Sequence, residues 1–379
     1  MKPIILAGVY NPISYDGRVQ RACVALSEIA NVELVCPIGP NPPKGLPFKV
    51  HTIPLPKDKG TKLKKHLAFW LAFIRIAMKL KPKLIHAHDY FMAFPGFVAS
   101  WLSGSRLVYD AHELIIPEPG KSMNPRMYFW YLLERAIVNR ADFVIAANKD
   151  RAHLMQRHYD LNIIPIVIQN ISPKWDNIIC ESELITRYPT LSRKFPNERL
   201  LIYQGDVSLC RGIDRFLRAL IYLPDNYRLI VVGGGPDLEK LISMAEPFER
   251  TGRFVALGRV DNKFLPFILQ LADLGIITYS FEGLNNIYCA PNKIFEYAQA
   301  GLPMVSTDQL PLCKLIKRYY IGELIGKKDG PEDIALCIFK LIEKISLYKR
   351  NLKKFLVAHR WEDEILKLQK KIIALINTT

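Results

Sequence analysis

The amino-acid sequence predicts an α/β protein built from two doubly wound, Rossmann-like domains that face a central cleft. Two observations lead to this fold class: short apolar runs alternate with helical periodicity in both halves of the chain, and the alternation lapses once, between residues 171 and 198. Near-continuous apolar strands that alternate with helices are typical of parallel sheets covered on both faces. A length of 379 residues is likewise typical of two domains.

The first domain is predicted to span residues 1–170. Its strands are the apolar runs at residues 3–10, 32–38, 48–55, 83–89, 106–112, 142–148 and 164–170. Residues 171–198 contain three prolines and no sustained period, which predicts a linker with one short helix. In the second domain, residues 199–358, the predicted strands are 199–205, 227–233, 253–258, 274–279 and 302–307. The amphipathic segment 359–376 is predicted to end the chain as a helix.

The composition excludes several classes of protein. The chain has no run of about 18 uncharged apolar residues, and its N-terminus lacks the length and the cleavage site of a signal peptide. These features predict a cytoplasmic protein. Seven cysteines, an odd number without CxxC spacing, argue against a disulfide framework and a zinc ribbon, and they predict reduced, mostly buried thiols.

A net charge of +16 indicates a polyanionic partner, which could be nucleic acid, anionic lipid or a phosphorylated small molecule. No groove-reading motif is present, so nucleic acid is not a predicted partner. Between Lys57 and Lys83, eight lysines and Arg75 face a single acid and flank the aromatic-rich segment 67–78. The plain interpretation is a helix packed on a sheet with solvated lysines. Such a helix also suits anionic headgroups, and we predict peripheral binding of residues 57–83 to the inner face of the cell membrane.

Polar residues follow three predicted strands of the first domain. Gly17 and Arg18 lie beside a helix start, where backbone N–H groups favour an anion, although a DG pair is also a common turn. His112 ends the fifth strand at an edge that would face a ligand, although a lone histidine often only satisfies a neighbour. His86 and His88 point to one side of the fourth strand. Because spacing identifies no third ligand, no metal site is predicted.

Glycines and basic residues follow the strands of the second domain. Gly205 follows the first of these strands, Arg211 lies near the next helix start, and Gly234 lies in a run of three glycines after another strand. One such turn is weak evidence, since tight strand-to-helix turns need glycine. Several turns that converge on one edge, together with Arg211 and Lys293, predict a pocket for a diphosphate. Neither GxGxxG nor a P-loop is present.

The stretch APNKIFEYAQAGLPMVS, residues 290–306, carries the strongest chemical pattern. Asn292 and Lys293 end a loop, and Glu296 lies on the first turn of the following helix. A carboxylate there can accept hydrogen bonds from both hydroxyls of a ribose while Lys293 faces the phosphates. The alternative is a solvated i,i+3 ion pair, which stabilises a helix by only a few tenths of a kcal/mol.

Five motifs, YDGRV, YDAHE, YQGDVSLCRGI, VVGGGP and YCAPNKIFEYAQAGLPMVS, resemble in order and spacing the large retaining glycosyltransferase family 4, also called group 1, of the GT-B fold. The resemblance covers nearly the whole chain. It implies that the second domain binds a nucleotide sugar of UDP or GDP type, that the first binds the acceptor, and that the last helix packs back on the first domain. It also implies that no metal or other cofactor is needed.

The resemblance assigns roles to individual residues. Glu296 matches the glutamate that holds the ribose, with Asn292 beside it. Arg211 and Lys293 match basic residues at the diphosphate, and His112 matches a histidine beside the donor sugar; these three are the predicted catalytic residues. The nucleotide-binding set is completed by Gly17, Arg18, Gly205 and Gly234. The resemblance also implies that the acceptor hydroxyl attacks the sugar from the same face that the diphosphate leaves. The leaving diphosphate helps to take the proton of that hydroxyl.

The chain departs from the family pattern at two positions. Many relatives carry two glutamates separated by seven residues, and here Tyr288 stands at the first position while Glu282 lies six residues upstream. Asp206 stands where many relatives have an arginine. Asn285, Asn286 and Tyr288 are predicted to supply the sugar contacts, with Glu282 as a further candidate. Two alternatives stay open: a nucleotide-sugar-binding protein without transfer activity, and a nucleotide-sugar epimerase. The expected acceptor is lipid-linked or a polysaccharide.

Overall fold

The structure is a computed structural model that describes residues 2–39, 45–55, 62–175, 181–192 and 195–378. The chain divides into two compact units. Unit 1 comprises Met1–Asn170 and Glu362–Thr379, and unit 2 comprises Ile171–Trp361.

Unit 1 contains a seven-stranded sheet in the order β3-β2-β1-β4-β5-β6-β7, and every pair of neighbouring strands is parallel. The strand order reverses between β1 and β4, where crossovers leave in opposite directions. The elements are β1 (Ile4–Val9), α1 (Gly17–Ser27), β2 (Asn31–Pro37), β3 (Lys49–Ile53), α2 (Lys62–Leu80), β4 (Leu84–His88), α3 (Tyr90–Ser103), β5 (Arg106–Ala111), α4 (Pro125–Val138), β6 (Phe143–Ala146), α5 (Lys149–Tyr159) and β7 (Ile166–Val167).

Unit 2 contains a six-stranded parallel sheet in the order β10-β9-β8-β11-β12-β13, which reverses between β8 and β11. Its elements are α6 (Glu181–Arg187), β8 (Arg199–Gln204), α7 (Ile213–Ala219), β9 (Tyr227–Val232), α8 (Leu238–Arg250), β10 (Phe254–Gly258), α9 (Leu265–Gln270), β11 (Leu274–Ile277), α10 (Leu284–Ile287), α11 (Lys293–Gln299), β12 (Met304–Thr307), α12 (Leu310–Tyr319), β13 (Gly322–Ile325), α13 (Pro331–Glu343) and α14 (Ile345–Ala358). The chain ends in α15 (Trp361–Asn377).

The prediction of two doubly wound domains is confirmed, because both sheets are parallel and each apolar run forms a strand. The central strands are buried on both faces: all residues of β4 and of β9 are buried. A central strand with both faces covered must be apolar throughout, which is why these runs stand out in the sequence.

The C-terminal helix α15 packs on unit 1. Leu368 and Ile372 are buried in the same apolar core as the first strand of that unit. The Gln369 side-chain amide donates to the Ala25 carbonyl at 2.7 Å, and the Glu364 carboxylate accepts from the Gln169 N–H at 2.7 Å. Because these contacts join residues far apart in sequence, α15 is an integral part of unit 1.

Two segments differ from the sequence prediction. Residues 171–198, predicted as a linker, contribute to unit 2, since Leu184 and Leu191 lie in its core. In the part of this segment that the structure describes, the regular elements are the predicted short helix, α6, and a 3₁₀ turn, and each is too short to show a period. The edge strand β13 was not predicted; it has only four residues, and its Glu323 interrupts the apolar run.

The cysteines are free where the structure describes them, but fewer are buried than predicted. Cys23, Cys36 and Cys289 are buried, Cys313 and Cys337 are half-buried, and Cys210 is exposed. Cys180 lies outside the described residues. Among the described helices, none combines the length and apolar character that a membrane span requires.

Candidate functional site

Two glycine turns meet at the carboxyl edge of the sheet in unit 2. Gly205 follows β8 with φ +123°, and Gly233 follows β9 with φ +140°. A Cβ at Gly233 would lie 1.9 Å from the Gly205 carbonyl oxygen, and a Cβ at Gly235 would lie 2.2 Å from the Val207 carbonyl oxygen. Only glycine fits these approaches. Gly234, between them, has the exposed Arg259 side chain packed against it.

Lys293 lies at the start of α11 with its side chain against Gly205, where a Cβ would lie 3.0 Å from Nζ. The ammonium stands 4.6 Å from the Tyr203 ring centroid and 5.6 Å from that of Tyr279. Lys293 is buried, and no described residue accepts a hydrogen bond from Nζ. Burial, then the nearby Arg211 charge, lowers the pKa of Lys293 to about 7. A solvated ion pair with Glu296 is therefore excluded.

Glu296 accepts hydrogen bonds from neutral side chains. The Gln204 side-chain amide, at the end of β8, donates to Oε2, and the Ser172 hydroxyl donates to Oε1 at 3.3 Å. Both donors orient the carboxylate without neutralising it. Asn292, the residue before α11, makes no side-chain capping bond; its carbonyl accepts from the Phe295 and Glu296 N–H groups.

Arg211 lies in the turn between β8 and α7, with its guanidinium 5.5 Å from the Tyr279 ring centroid. Its Nη2 is 3.8 Å from the Asp206 carboxylate, and both side chains are partly exposed. An exposed pair at this distance is weak. Arg211 therefore stays available to an anion, although Asp206 reduces the local positive charge.

The predicted sugar contacts cluster in and around α10. Asn286 donates through its side chain to the Glu282 carbonyl at 2.7 Å, and Gly283 between them has φ +84°. Glu282 is exposed, whereas Asn285, Asn286 and Tyr288 are half-buried. These side chains follow β11, the strand at which the order of the sheet reverses. They stay predicted sugar contacts.

In unit 1, Arg18 and His112 converge on Asp110, a buried carboxylate in β5. The Arg18 guanidinium binds Asp110 with Nη2 at 2.7 Å from Oδ1, and its Nη1 donates to the Ile168 carbonyl and the Asn170 side chain. His112 Nε2 lies 3.6 Å from Asp110 Oδ2. Despite burial, the Arg18 and His112 charges hold the pKa of Asp110 well below its usual range, and Asp110 in turn raises the pKa of His112.

The Arg18 guanidinium is therefore occupied by partners within unit 1. Because the Asp110 carboxylate offsets its charge, Arg18 would attract a nucleotide phosphate less strongly than the sequence prediction assumes. Gly17 is exposed at the start of α1, where the Asp16 carboxylate accepts from the Val19 N–H at 3.1 Å. His112 keeps a partly exposed ring, and its carbonyl is fixed by Arg151 at 2.6 Å.

His86 and His88 extend this cluster inward along β4. His88 Nδ1 lies 3.2 Å from His112 Nε2 and 3.4 Å from Asp110 Oδ2. Ligating atoms of His86, His88 and Asp110 all lie within 4.8 Å of one another, so the fold brings in the third metal-binding group that spacing did not reveal. The Arg18 cation already binds Asp110, however, and it opposes a second cation there. The arrangement favours a hydrogen-bonded network that holds His112.

Sequence reasoning missed the residues that orient others: Asp110, Ser172 and Gln204. Gln204 has a recognisable signal, since it is a polar residue that follows a run of apolar residues at the carboxyl end of β8, the edge where ligands bind. Asp110 lies in YDAHE, where the neighbouring histidine gives the stronger sequence signal. Nothing in the sequence around Ser172 indicates its role.

Two family models match the chain and together cover most of it. The Glycosyl transferase 4-like domain matches residues 18–167, and Glycosyl transferases group 1 matches residues 187–354. The chain is also 23% identical to the uncharacterized glycosyltransferase MJ1069 of Methanocaldococcus jannaschii, over 82% of this chain and 80% of the relative.

Solved structures share the fold over all or nearly all of the chain. Anabaena HepE, solved in complex with UDP, superposes with a TM-score of 0.73 at 16% identity, and 100% of each chain is covered. WaaG, a glycosyltransferase involved in lipopolysaccharide biosynthesis, gives a TM-score of 0.73 at 17% identity, with 97% of this chain and 99% of WaaG covered. With both family models matched along its length, the chain belongs to the group 1, family 4-like glycosyltransferases of the GT-B fold.

Proposed function

We propose that the protein is a retaining hexosyltransferase that moves a sugar from a nucleoside-diphosphate sugar, of UDP or GDP type, to a lipid-linked or polysaccharide acceptor at the cytoplasmic surface of a membrane. The proposal that a nucleoside-diphosphate sugar is the donor substrate rests on Lys293, a buried cation from which no described residue accepts a hydrogen bond. Burying such a group is costly unless an anion joins it. HepE was solved with UDP and with UDP-glucose, which supports a nucleotide sugar as that anion.

The residues of unit 2 suit each part of such a donor. Lys293 and Arg211 offer cations beside glycine turns that let a diphosphate approach the backbone. Glu296, oriented by Gln204 and Ser172, would accept the ribose hydroxyls. As the bond between the sugar and the diphosphate breaks, negative charge grows on the leaving oxygen, and fixed cations stabilise it. These cations would serve in place of a divalent metal, so we propose metal-independent transfer.

A calorimetric screen of UDP, GDP, dTDP, ADP and CMP tests the donor half. We expect one nucleoside diphosphate to bind selectively, with the same affinity in EDTA. Glu296→Ala should weaken it by about 10- to 100-fold, because hydrogen bonds to a charged group contribute about 1.5–3 kcal/mol. Glu239→Ala, in the exposed first turn of α8, is the matched control and should bind as the parent does. Equal binding by Glu296→Ala would refute the ribose assignment.

The proposal that the acceptor is reached at a membrane surface rests on the outer face of α2, defined here as Leu63, Leu67, Leu71 and Met78. These side chains are each about half exposed, while Phe69, Phe73 and Ala77 on the opposite side are buried. Lys64, Arg75 and Lys79 are exposed beside them, and residues 57–61 lie outside the described residues. Apolar side chains flanked by cations suit a surface of anionic lipid, where each cation contributes about 1 kcal/mol.

Co-sedimentation with vesicles tests the membrane proposal. We expect binding to vesicles that contain phosphatidylglycerol and little binding to pure phosphatidylcholine. Leu67→Asp combined with Leu71→Asp should reduce binding at least tenfold, since it removes about 1 kcal/mol or more of apolar burial per site and adds repulsion. Leu366→Asp, about half exposed on α15 of the same unit, is the control. Binding that is indifferent to lipid charge, or to the double substitution, would exclude this surface.

A further inference from the structure

The helices α12 and α14 of unit 2 carry cations and no acid. Three basic residues lie on α12 and four on α14, so the two helices supply +7 of the net charge of +16. All seven are exposed, and they are Lys314, Lys317, Arg318, Lys349, Arg350, Lys353 and Lys354. The helices that flank α14 in the chain mix the two signs, since α13 has three acids beside Lys340 and α15 has three acids beside three lysines. The excess is therefore local to α12 and α14.

Packing of α12 against α14 joins these cations into one surface. The Tyr319 ring, at the end of α12, meets the Phe355 ring of α14 edge-on with centroids 5.2 Å apart, and the Asn351 side chain donates to the Tyr320 carbonyl at 2.9 Å. Phe355 lies in the apolar core of unit 2, and the cations lie on the sides of the two helices that face solvent. Six of them are defined here as the basic face: Lys317, Arg318, Lys349, Arg350, Lys353 and Lys354.

No described acid neutralises the basic face. Among the residues that the structure describes, no Asp or Glu forms an ion pair with any of its six cations, whereas Lys340 on α13 pairs with Glu323 at 3.1 Å. Lys349 and Lys353 lie one helical turn apart, where like charges repel and destabilise a helix. A local excess of one sign attracts partners of the opposite sign. The basic face is therefore suited to an anionic partner.

The composition of the basic face favours an anionic bilayer as that partner. Four of its six cations are lysines, which meet phosphate as point charges without a fixed geometry, and clusters of about four to eight basic residues are typical of contacts with anionic lipid. Val357, on α14, is 74% exposed and Tyr320, after α12, is 41% exposed. An apolar side chain and an aromatic ring beside cations suit the headgroup region. Single-stranded nucleic acid instead stacks its bases on several aromatic faces, and Tyr320 is the only exposed ring among the described residues of α12, α14 and their ends.

We propose that the basic face of α12 and α14 is a membrane contact that binds the anionic headgroups of phospholipids. The inference goes beyond the proposed function, because it needs neither sugar transfer nor the outer face of α2, and every residue that it uses belongs to unit 2. The contact is electrostatic: headgroup phosphates neutralise the cations, and salt screens the attraction. Because the outer face of α2 consists of apolar side chains, the basic face accounts for the greater part of the salt dependence.

Neutralising two lysines of α14 tests this contact. We expect Lys349→Gln combined with Lys353→Gln to weaken binding to vesicles of phosphatidylglycerol and phosphatidylcholine by about 25-fold, since each cation at an anionic surface strengthens binding about fivefold. The matched control neutralises two exposed lysines outside the basic face, Lys240→Gln on α8 and Lys370→Gln on α15. The control changes the net charge by the same amount, and its vesicle affinity should stay within about threefold of the parent value.

Two further measurements separate a lost contact from a lost fold. Lys349→Glu combined with Lys353→Glu should weaken vesicle binding further than the glutamine pair does, because it adds repulsion. Both pairs of substitutions should keep the Tm of the parent, since the replaced side chains are exposed and form no ion pair with a described residue. Raising the salt concentration should weaken vesicle binding by the parent more steeply than binding by either variant, an effect that misfolding would not produce.

Equal vesicle affinity in the α14 variants and the control would overturn the inference. So would a loss of affinity for a single-stranded oligonucleotide without a loss for vesicles, which would assign the basic face to nucleic acid. The other proposals fail separately. Unchanged vesicle binding by the Leu67→Asp and Leu71→Asp pair bears on the outer face of α2, and absent nucleoside-diphosphate binding bears on the donor site. Neither result alters the expected effect of the α14 substitutions.

Discussion

Asp110→Asn is expected to destabilise unit 1 by about 3–5 kcal/mol, the usual result of removing one partner from a buried ion pair. Asp110 and Arg18 are paired at 2.7 Å with side chains 3% and 10% exposed. An amide in place of the carboxylate leaves the Arg18 guanidinium as an uncompensated charge in the interior. It also removes the group that raises the pKa of His112, so that this histidine becomes neutral at a lower pH.

Glu246→Gln provides a control matched in chemistry and distance. Glu246 pairs with Arg250 at 2.6 Å, but the two side chains are 62% and 77% exposed. A solvated pair of this kind contributes about 0–1 kcal/mol, so the control should unfold almost as the parent does. Urea denaturation of both variants measures the difference. Equal midpoints would mean that solvent reaches Asp110 and that the pair does not stabilise the sheet edge.

The pH dependence of the Asp110 contribution follows from the direction of its pKa shift. The folded protein holds this pKa well below the ordinary value of about 3.9. The stabilisation is therefore fully present above about pH 4 and is lost as the pH falls through the folded-state pKa. Acid unfolding of the parent should be steeper below pH 4 than that of Asp110→Asn, which has no carboxyl to protonate.

The fold was predictable because its signal is local. Each central strand is a short apolar run, and a run such as residues 227–233 needs no distant partner to be recognised. The short strand β13 was not predicted because four residues are too few to establish a period, whereas the short helix expected between residues 171 and 198 corresponds to α6.

The candidate site was predictable only in part, because many of its contacts join residues far apart in the sequence. Lys293 and Glu296 lie three residues apart in one helix, so their pattern is visible in the sequence. The groups that orient the site come from far along the chain: Asp110 is 92 residues from Arg18, and Ser172 is 124 residues from Glu296. Such pairs depend on the strand order, which periodicity alone does not give.

Lys293→Met is expected to stabilise the ligand-free protein below pH 7 and to abolish nucleoside-diphosphate binding. Burial lowers the pKa of Lys293 to about 7, against about 10.4 for an exposed lysine. Between these values the unfolded chain binds more protons than the folded one, so stability rises with pH across that window. Below pH 7 the folded protein carries a charged, buried ammonium, and methionine fills nearly the same space without that cost.

Affinity for the diphosphate should fall as the pH rises, whereas stability rises. Since the ligand binds the charged ammonium, Kd should increase about tenfold per pH unit above 7. Binding should then take up close to one proton, which calorimetry in buffers of different ionisation enthalpy measures. Lys293→Met should show no binding at any of these pH values, and Lys240→Met, at an exposed site on α8, should show both the pH dependence of Kd and the proton uptake of the parent. A parent Kd that is flat between pH 7 and 9 would mean that Lys293 does not meet the diphosphate. If the proposed donor site is right, the cost of burying the Lys293 ammonium places a hydrogen-bond donor for a phosphate oxygen in advance, so a loss of stability in the ligand-free protein would support binding.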